Sequence, residues 1–91
     1  LLINENYDPT VKMDLMEFFT RLVPDGQAWF RHTEEGADDS PAHILAALLP
    51  VQLTIPVEHG RLALGRWQGI YLVEHREAPH YRKIDLRVFA G

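Results

Sequence analysis

Apolar residues recur at three- and four-residue intervals between Pro9 and Leu22, and this period predicts an amphipathic helix over that range. Asp8 offers a side-chain acceptor at the N-cap, and Pro9 stands at the first helical position, where its missing N–H costs nothing. Val23-Pro24-Asp25-Gly26 should end the helix, because a residue before proline is disfavoured in the α region and Asp-Gly favours a turn.

A second, shorter helix is predicted after a polar segment. Residues 27–40 contain too few apolar positions for a buried element, so we expect a long loop there. Ser40 and Pro41 repeat the pairing of an N-cap residue with a proline at the first helical position. The helix should continue through Leu48 and stop at Pro50.

The rest of the chain switches to an alternating pattern that predicts β-strands. A strand ending at Leu1–Ile3 opens the chain, His59-Gly60 should be a tight connection, and Gly65 marks a bulge or a close backbone approach. The later strands are predicted at Leu53–Val57, Arg61–Leu64, Trp67–Val73 and Lys83–Phe89. The fold class is therefore α+β: one domain over residues 1–91, with two helices packed on a mostly antiparallel sheet or sandwich whose late strands form a meander.

The predicted strands present more apolar surface than two short helices can cover. We therefore expect either a neighbouring subunit or a preceding segment to bury the remainder, and we favour a homo-oligomer. The chain starts at Leu1 without a methionine, so its N-terminal part is expected to be missing.

Composition narrows the possible functions. The 91 residues are 46% hydrophobic and 24% charged, with a net charge of -4, so no basic surface is expected to attract nucleic acid. The longest apolar run, residues 44–51, is too short to cross a membrane, and it contains Pro50. With no cysteine there is neither a disulfide framework nor a thiolate zinc site, which favours a cytoplasmic location.

The main candidate for chemistry surrounds the second helix. His43 lies on the helix, Asp38 and Asp39 precede its start, and His32 lies in the preceding loop. Imidazole and carboxylate groups can bind a divalent metal or move a proton, and a helix N-terminus offers N–H groups to a phosphate. The alternative is structural: the two acids satisfy the helix start and His43 packs or forms a hydrogen bond.

Three further groups carry polar, aromatic or basic side chains suited to a ligand. The run of residues 4–6 offers amides for phosphate and a carboxylate for Mg²⁺, while Trp67 could stack on a ring whose edge Gln68 binds. Arg76 and Arg82 could clamp phosphate oxygens. The alternatives are an ordinary polar strand end, a core tryptophan and a solvated loop.

Several runs of residues in order resemble the YjbQ family, whose members are often described as secondary thiamine-phosphate synthases. The runs are Asn4-Glu5-Asn6-Tyr7-Asp8-Pro9, Val23-Pro24-Asp25, Glu35-Gly36-Ala37-Asp38-Asp39, Ala42-His43-Ile44, Trp67-Gln68-Gly69-Ile70 and Glu74-His75-Arg76. The resemblance implies a homotrimer and a weak transferase activity in thiamine biosynthesis. That activity joins a hydroxymethylpyrimidine pyrophosphate to a thiazole phosphate and releases pyrophosphate.

The candidate roles follow from the residue types and the resemblance together. Catalysis is expected of His43, Asp39 and Glu5, substrate binding of Asn4, Asn6, Trp67, Gln68, Arg76 and Arg82, and metal binding of His32 and His43. A divalent ion, Mg²⁺ or Zn²⁺, is expected as cofactor, without an organic cofactor. All these groups are expected to meet in one hollow.

One departure from the family pattern keeps other functions open. Leu45-Ala46-Ala47 stands where the family usually has Lys-Ser-Ser, which removes a cation and two hydroxyls. This replacement favours a protein that binds a small phosphorylated metabolite without turnover. A purely structural oligomer is the third alternative.

Overall fold

The computed structural model describes residues 1–90, which form two helices and four short strands. In chain order the elements are β1 (Leu2–Glu5), α1 (Pro9–Leu22), α2 (Asp39–Leu48), β2 (Val57–Glu58), β3 (Arg61–Leu62) and β4 (Gln68–Tyr71). The α+β class expected from the sequence is thus confirmed. In the described part of the chain, neither helix is long and apolar enough to span a bilayer.

Helix α1 begins and ends where its pattern predicts. Asp8 is the N-cap, and its Oδ1 accepts hydrogen bonds from the backbone N–H of Thr10 at 2.9 Å and from its hydroxyl at 2.7 Å. At the other end, the N–H of Val23 donates to the carbonyl of Phe19 at 3.1 Å. Local capping chemistry therefore fixes both bounds of α1.

Helix α2 starts at Asp39, earlier than the sequence predicts, and Ser40 is not its cap. The N-cap is Asp38, but the Asp38 side chain makes no capping hydrogen bond, because its Oδ2 accepts from the backbone N–H of Glu77 and from Arg76 instead. The Ser40 hydroxyl donates to the carbonyl of His32 at 2.7 Å. Contacts from distant parts of the chain have thus displaced the local cap.

The strands form two separate antiparallel pairs, so the predicted meander is wrong. β1 pairs with β4, with Leu2 opposite Tyr71 and Glu5 opposite Gln68. β2 and β3 form a hairpin whose turn residues, His59 and Gly60, have φ angles of 51° and 74°, as a type I′ turn requires.

All four later strands are shorter than predicted or absent, and Arg61–Leu64 is reduced to Arg61–Leu62 and Trp67–Val73 to Gln68–Tyr71. Of the predicted strand Leu53–Val57 only Val57 is paired, and residues 83–89 form no strand in the structure. At Gly65 the close neighbour is a side chain and not the backbone expected from the sequence, since a Cβ there would lie 2.9 Å from Oε1 of Gln68. Alternation identifies the faces of a strand but not its partner, and a segment without a partner forms no ladder.

The core is small. Within residues 1–90 the buried apolar side chains are Val23, where α1 ends, and Leu45 in α2. An apolar cavity of about 180 Å³ lies between α1 and the β1–β4 pair, lined by Leu15 and Phe19 among others. Much apolar surface is left exposed, including Ile84, Leu86 and Val88.

The segment after β4 is tied to the C-terminal segment by an ion pair between Glu74 and Arg82. Arg82 donates from Nε to Oε1 of Glu74 at 2.7 Å and from Nη2 to Oε2 at 2.9 Å. This hydrogen-bonded pairing lowers the pKa of Glu74 from 4.5 to about 2. Glu74 is therefore ionised in the folded protein at pH values where it would be protonated in the unfolded chain.

This difference predicts how Glu74 contributes to stability across pH. Because its folded pKa is lowered, the contribution is fully present above about pH 4.5 and is lost as the pH falls towards about 2. Thermal unfolding of wild type and Glu74→Gln should show a gap in midpoint that closes over this window. Glu77→Gln is the charge-matched control, and a gap that stays constant from neutral pH to pH 2 would contradict the prediction.

Candidate functional site

Asp39, the first residue of α2, is the centre of a group of ionisable side chains. It is only 4% exposed. Its Oδ2 lies 2.6 Å from Nε2 of His32 and 3.2 Å from Nε2 of His43. Its other oxygen, Oδ1, accepts a 2.6 Å hydrogen bond from Nη1 of Arg76. Two imidazoles and a guanidinium thus converge on one buried carboxylate.

The local structure explains why these side chains meet. Asp39 and His43 are four residues apart on α2 and therefore share one face of the helix. The hydrogen bond from Ser40 to the carbonyl of His32 holds the preceding loop against the helix, and the two imidazole rings lie 5.3 Å apart at 67°. Gly36, with φ of 105°, makes a turn in that loop that other residues rarely adopt.

Glu35 completes a set of four residues, His32, Glu35, Asp39 and His43, which we call the His–acid cluster. One ligand atom from each lies within 4.8 Å of the others, and Oε2 of Glu35 is 3.5 Å from Nε2 of His32. Mixed imidazole and carboxylate donors suit zinc and similar divalent ions. The cluster is therefore a candidate metal site.

The electrostatics keep the central carboxylate charged. Burial by itself raises the pKa of Asp39, but the hydrogen bond with His32, with the charge of Arg76 among others, outweighs it and lowers the pKa overall. The backbone N–H of Glu77, followed by Arg76, likewise holds the pKa of Asp38 below its usual value despite some desolvation. An anionic Asp39 can serve as a metal ligand near neutral pH.

The two arginines expected to clamp phosphate are both engaged by carboxylates. Besides Asp39, Arg76 contacts Oδ2 of Asp38 at 3.2 Å and the carbonyl of Glu35 at 3.1 Å. Arg82 makes both of its hydrogen bonds to Glu74. Their roles in substrate binding stay predictions, because each would have to exchange or share an existing partner.

The remaining candidates form a second group around the start of β4. The hydroxyl of Tyr71 donates to the carbonyl of Glu5 at 2.8 Å and to Oδ1 of Asn6 at 3.0 Å. Trp67, half exposed, lies 4.6 Å from the ring of Tyr7. Glu5 and Trp67 border an open depression of about 470 Å³, whose lining is Ile3, Asn4, Glu5, Gly65, Arg66, Trp67 and Gln68.

Several side chains of this second group also serve the fold. Oδ1 of Asn4 accepts from the N–H of Glu5 at 2.7 Å, and Oε1 of Gln68 accepts from the N–H of Gly65 at 2.6 Å. The guanidinium of Arg66 lies 4.6 Å above the ring of Trp67. The predicted roles of Asn4, Asn6, Trp67, Gln68 and Glu5 in a reaction stay predictions.

The sequence predicts one hollow, whereas a single chain contains two groups. Antiparallel pairing aligns residues 4–6 with the start of β4, while Arg76 follows beyond its end. Throughout residues 1–90, no hydrogen bond or ion pair joins the second group to the His–acid cluster. The eight residue steps from Gln68 to Arg76 would span about 26 Å if the segment were fully extended, at 3.3 Å per residue.

Sequence reasoning missed Glu35 as a member of the cluster and Arg76 as the partner of Asp39. The first had no helical signal, because His32 and Glu35 lie in the loop before α2, where a spacing of three positions does not put two side chains on one face. The second had no local signal, because Arg76 lies 37 positions from Asp39.

Comparison with known proteins gives consistent matches. The family of UPF0047 YjbQ-like proteins matches residues 1–91. A UPF0047 protein of Synechocystis is 50% identical over 88 residues, covering 97% of this chain and 60% of the relative. The UPF0047 protein YjbQ of Salmonella typhimurium is 52% identical over 84 residues, covering 92% of this chain and 60% of the relative.

A solved structure is similar as well. The crystal structure of a conserved hypothetical protein from Thermus thermophilus superposes with a TM-score of 0.64 at 42% identity, covering 72% of this chain and 50% of the other. The chain thus spans about 60% of the length of the curated relatives from Synechocystis and Salmonella.

Proposed function

We propose that this chain, which belongs to the UPF0047 YjbQ-like family, is a cytosolic protein that binds a divalent metal ion at the His–acid cluster. The ion would hold the phosphate group of a small metabolite, and binding does not require turnover. The observation that carries the proposal is the convergence of four ligand atoms within 4.8 Å around a buried, anionic carboxylate.

The cluster contains both fixed and exchangeable ligands. Asp39 is buried, and both imidazoles lie within hydrogen-bonding distance of its Oδ2. Glu35 approaches less closely, with its Oε2 3.5 Å from Nε2 of His32. Sites that act on a ligand hold zinc with three protein groups and leave a fourth position exchangeable. A phosphate oxygen can take that position in place of Glu35.

A metal ion would also supply the positive charge that phosphate binding needs. Arg76 and Arg82 are paired with carboxylates, and helix α2 carries Leu45-Ala46-Ala47 and so offers no cation or hydroxyl there. An ion between the two imidazoles is the direct way to place a positive charge at the cluster. The lack of further polar groups on this part of α2 supports binding over catalysis.

Thiamine-phosphate synthesis is a second candidate, favoured by the same cluster. An ion held there would stabilise the departing pyrophosphate when the pyrimidine and thiazole substrates are joined. The position of Asn4, Asn6 and Trp67 beside the start of β4, whereas Arg76 follows its end, counts against a complete active site in one chain. Formation of thiamine phosphate from the two substrates is the assay for this candidate.

The binding proposal predicts that phosphate affinity depends on the metal. Protein loaded with Zn²⁺ and freed of excess ion should bind inorganic phosphate at least about 10-fold more tightly than chelator-treated protein, measured by calorimetry. Inorganic phosphate is the probe because pyrophosphate would strip the metal. His43→Ala should behave like chelated protein, and His80→Ala like wild type. Equal phosphate affinity with and without metal would contradict the proposal.

We also propose that the chain self-associates, with a trimer as the expected state. Leu86 is 82% exposed, and Ile84 and Val88, each two positions from it in the sequence, are exposed as well. Sedimentation analysis should show an assembly that Leu86→Asp weakens, because it places a charge in the apolar interface. Arg87→Asp, at the neighbouring position, is the control. A wild-type monomer at all concentrations would contradict this expectation.

A further inference from the structure

The two oxygens of the Asp39 carboxylate face different partners. Oδ1 accepts from Nη1 of Arg76 at 2.6 Å, whereas Oδ2 lies between the Nε2 atoms of His32 and His43. A carboxylate can bind a metal through one oxygen or through both, and calcium sites often use both. With Oδ1 committed to Arg76, only Oδ2 is directed at an ion in the cluster.

Arg76 is itself held in place. Its Nε contacts Oδ2 of Asp38 at 3.2 Å, its Nη2 donates to the carbonyl of Glu35 at 3.1 Å, and its side chain is only 22% exposed. The guanidinium is a rigid planar fork, so three simultaneous hydrogen bonds fix its orientation. The orientation of Asp39 is therefore imposed by a group outside the set of metal ligands.

Resting on the metal site proposed above, we infer that Arg76 is a positioning residue that makes the cluster selective for zinc-type ions over Ca²⁺ and Mg²⁺. It does so by restricting Asp39 to one metal-binding oxygen. The cluster then offers two imidazole nitrogens and single carboxylate oxygens, a low-coordinate mixed set. Calcium requires six to eight oxygens, and magnesium an octahedron of oxygens.

The distances agree with a small tetrahedral site. Zinc bonds of about 2.0 Å to nitrogen and oxygen place tetrahedral ligands about 3.3 Å from one another. In the cluster Oδ2 of Asp39 lies 2.6 Å from His32 and 3.2 Å from His43, and Glu35 lies 3.5 Å from His32. Shifts of less than about 1 Å in these three separations, and of up to about 1.5 Å in the others, which reach at most 4.8 Å, would give the spacing that zinc requires.

The test compares wild type with Arg76→Lys, which keeps the charge but loses the planar fork. Zn²⁺ and Ca²⁺ affinities are measured by competition titration, and the coordination of bound Co²⁺ by its visible absorption, which is intense for a four-coordinate ion and weak for a six-coordinate one. We expect Arg76→Lys to lower the ratio of Zn²⁺ to Ca²⁺ affinity about 10- to 100-fold, as outer-shell changes do. Its Co²⁺ absorption should weaken.

Arg21→Lys is the matched control, because it changes an arginine that pairs with a carboxylate, that of Glu17, away from the cluster. Asp38→Asn, which weakens one of the contacts that hold Arg76, should shift the ratio in the same direction by less. If circular dichroism shows that Arg76→Lys is unfolded, the affinity ratio of Asp38→Asn tests the inference instead. An unchanged ratio of Zn²⁺ to Ca²⁺ affinity together with an unchanged Co²⁺ spectrum would overturn this inference but not the proposed function. Wild type that binds neither Zn²⁺ nor Co²⁺ would overturn the proposed function with it.

Discussion

Replacing Asp39 with asparagine is expected to weaken Zn²⁺ binding by more than about 100-fold, since a ligand charge is lost and outer-shell changes alone cost about 10–100-fold. Asparagine preserves the shape of the side chain but not its charge. Asp39 is also the residue that both imidazoles and Arg76 contact, so no other side chain can replace it. Competition against a chromophoric zinc chelator measures the change.

Two matched variants show whether the loss is specific to this carboxylate. Glu35→Gln removes an exposed carboxylate of the same cluster. It should weaken Zn²⁺ binding by less than about 10-fold, which is below the range of outer-shell changes. Glu34→Gln removes an exposed neighbouring charge outside the cluster and should change nothing. Wild-type affinity in Asp39→Asn, or equal losses in Asp39→Asn and Glu35→Gln, would contradict the assigned hierarchy of ligands.

Leu45→Ala is expected to destabilise the fold by about 2 to 4 kcal/mol, because it deletes a buried side chain and leaves a cavity. Leu45 is only 6% exposed and is one of two buried apolar residues in the described part of the chain. For a domain of this size each kcal/mol lowers the unfolding midpoint by about 4–8 °C. Thermal denaturation followed by circular dichroism measures the shift.

Leu48→Ala provides the control on the same helix. Leu48 is 63% exposed, so the same chemical change should alter stability by no more than about 0.5 kcal/mol. Because α2 also carries Asp39 and His43, added Zn²⁺ should raise the midpoint of both variants, through preferential binding to the folded state. Equal midpoints for the two variants would show that Leu45 is not part of the core.

The helices show where local sequence is sufficient and where it is not. Asp8-Pro9 predicts the start of α1 because its capping hydrogen bonds involve a residue two positions away. Ser40-Pro41 carries the same local signal, yet α2 starts at Asp39. There the competing partners, Arg76 and Glu77, come from the other end of the chain and take up the side chain of Asp38.

The strands likewise include one feature that the local sequence specifies and another that it does not. The turn at His59 and Gly60 is readable, because a two-residue type I′ turn is specified by the residues within it. The pairing of β1 with β4 is not, because it joins residues as far apart as Leu2 and Tyr71, 69 positions along the chain. Alternation over residues 83–89 indicates a potential strand but supplies no partner.

The sequence predicted which residues belong to candidate sites better than it predicted which of those residues lie together. His32, Asp39 and His43 were recognised from residue type, and the structure brings them together. The family resemblance also pointed to residues 4–6 and Trp67, but a resemblance to ordered motifs does not say which motifs share a site. The register of β1 against β4 decides the grouping. It places residues 4–6 and Trp67 at the start of β4, whereas Arg76 follows the end of that strand.

The central claim is that the His–acid cluster holds a divalent metal ion, and the position of a bound ion tests it most directly. Crystals grown with Zn²⁺ and measured on both sides of the zinc absorption edge would reveal its location by anomalous scattering. We predict a single strong peak per chain at about 2.0 to 2.2 Å from nitrogens of His32 and His43 and from Oδ2 of Asp39. Peaks elsewhere, or none at the cluster, would contradict the claim.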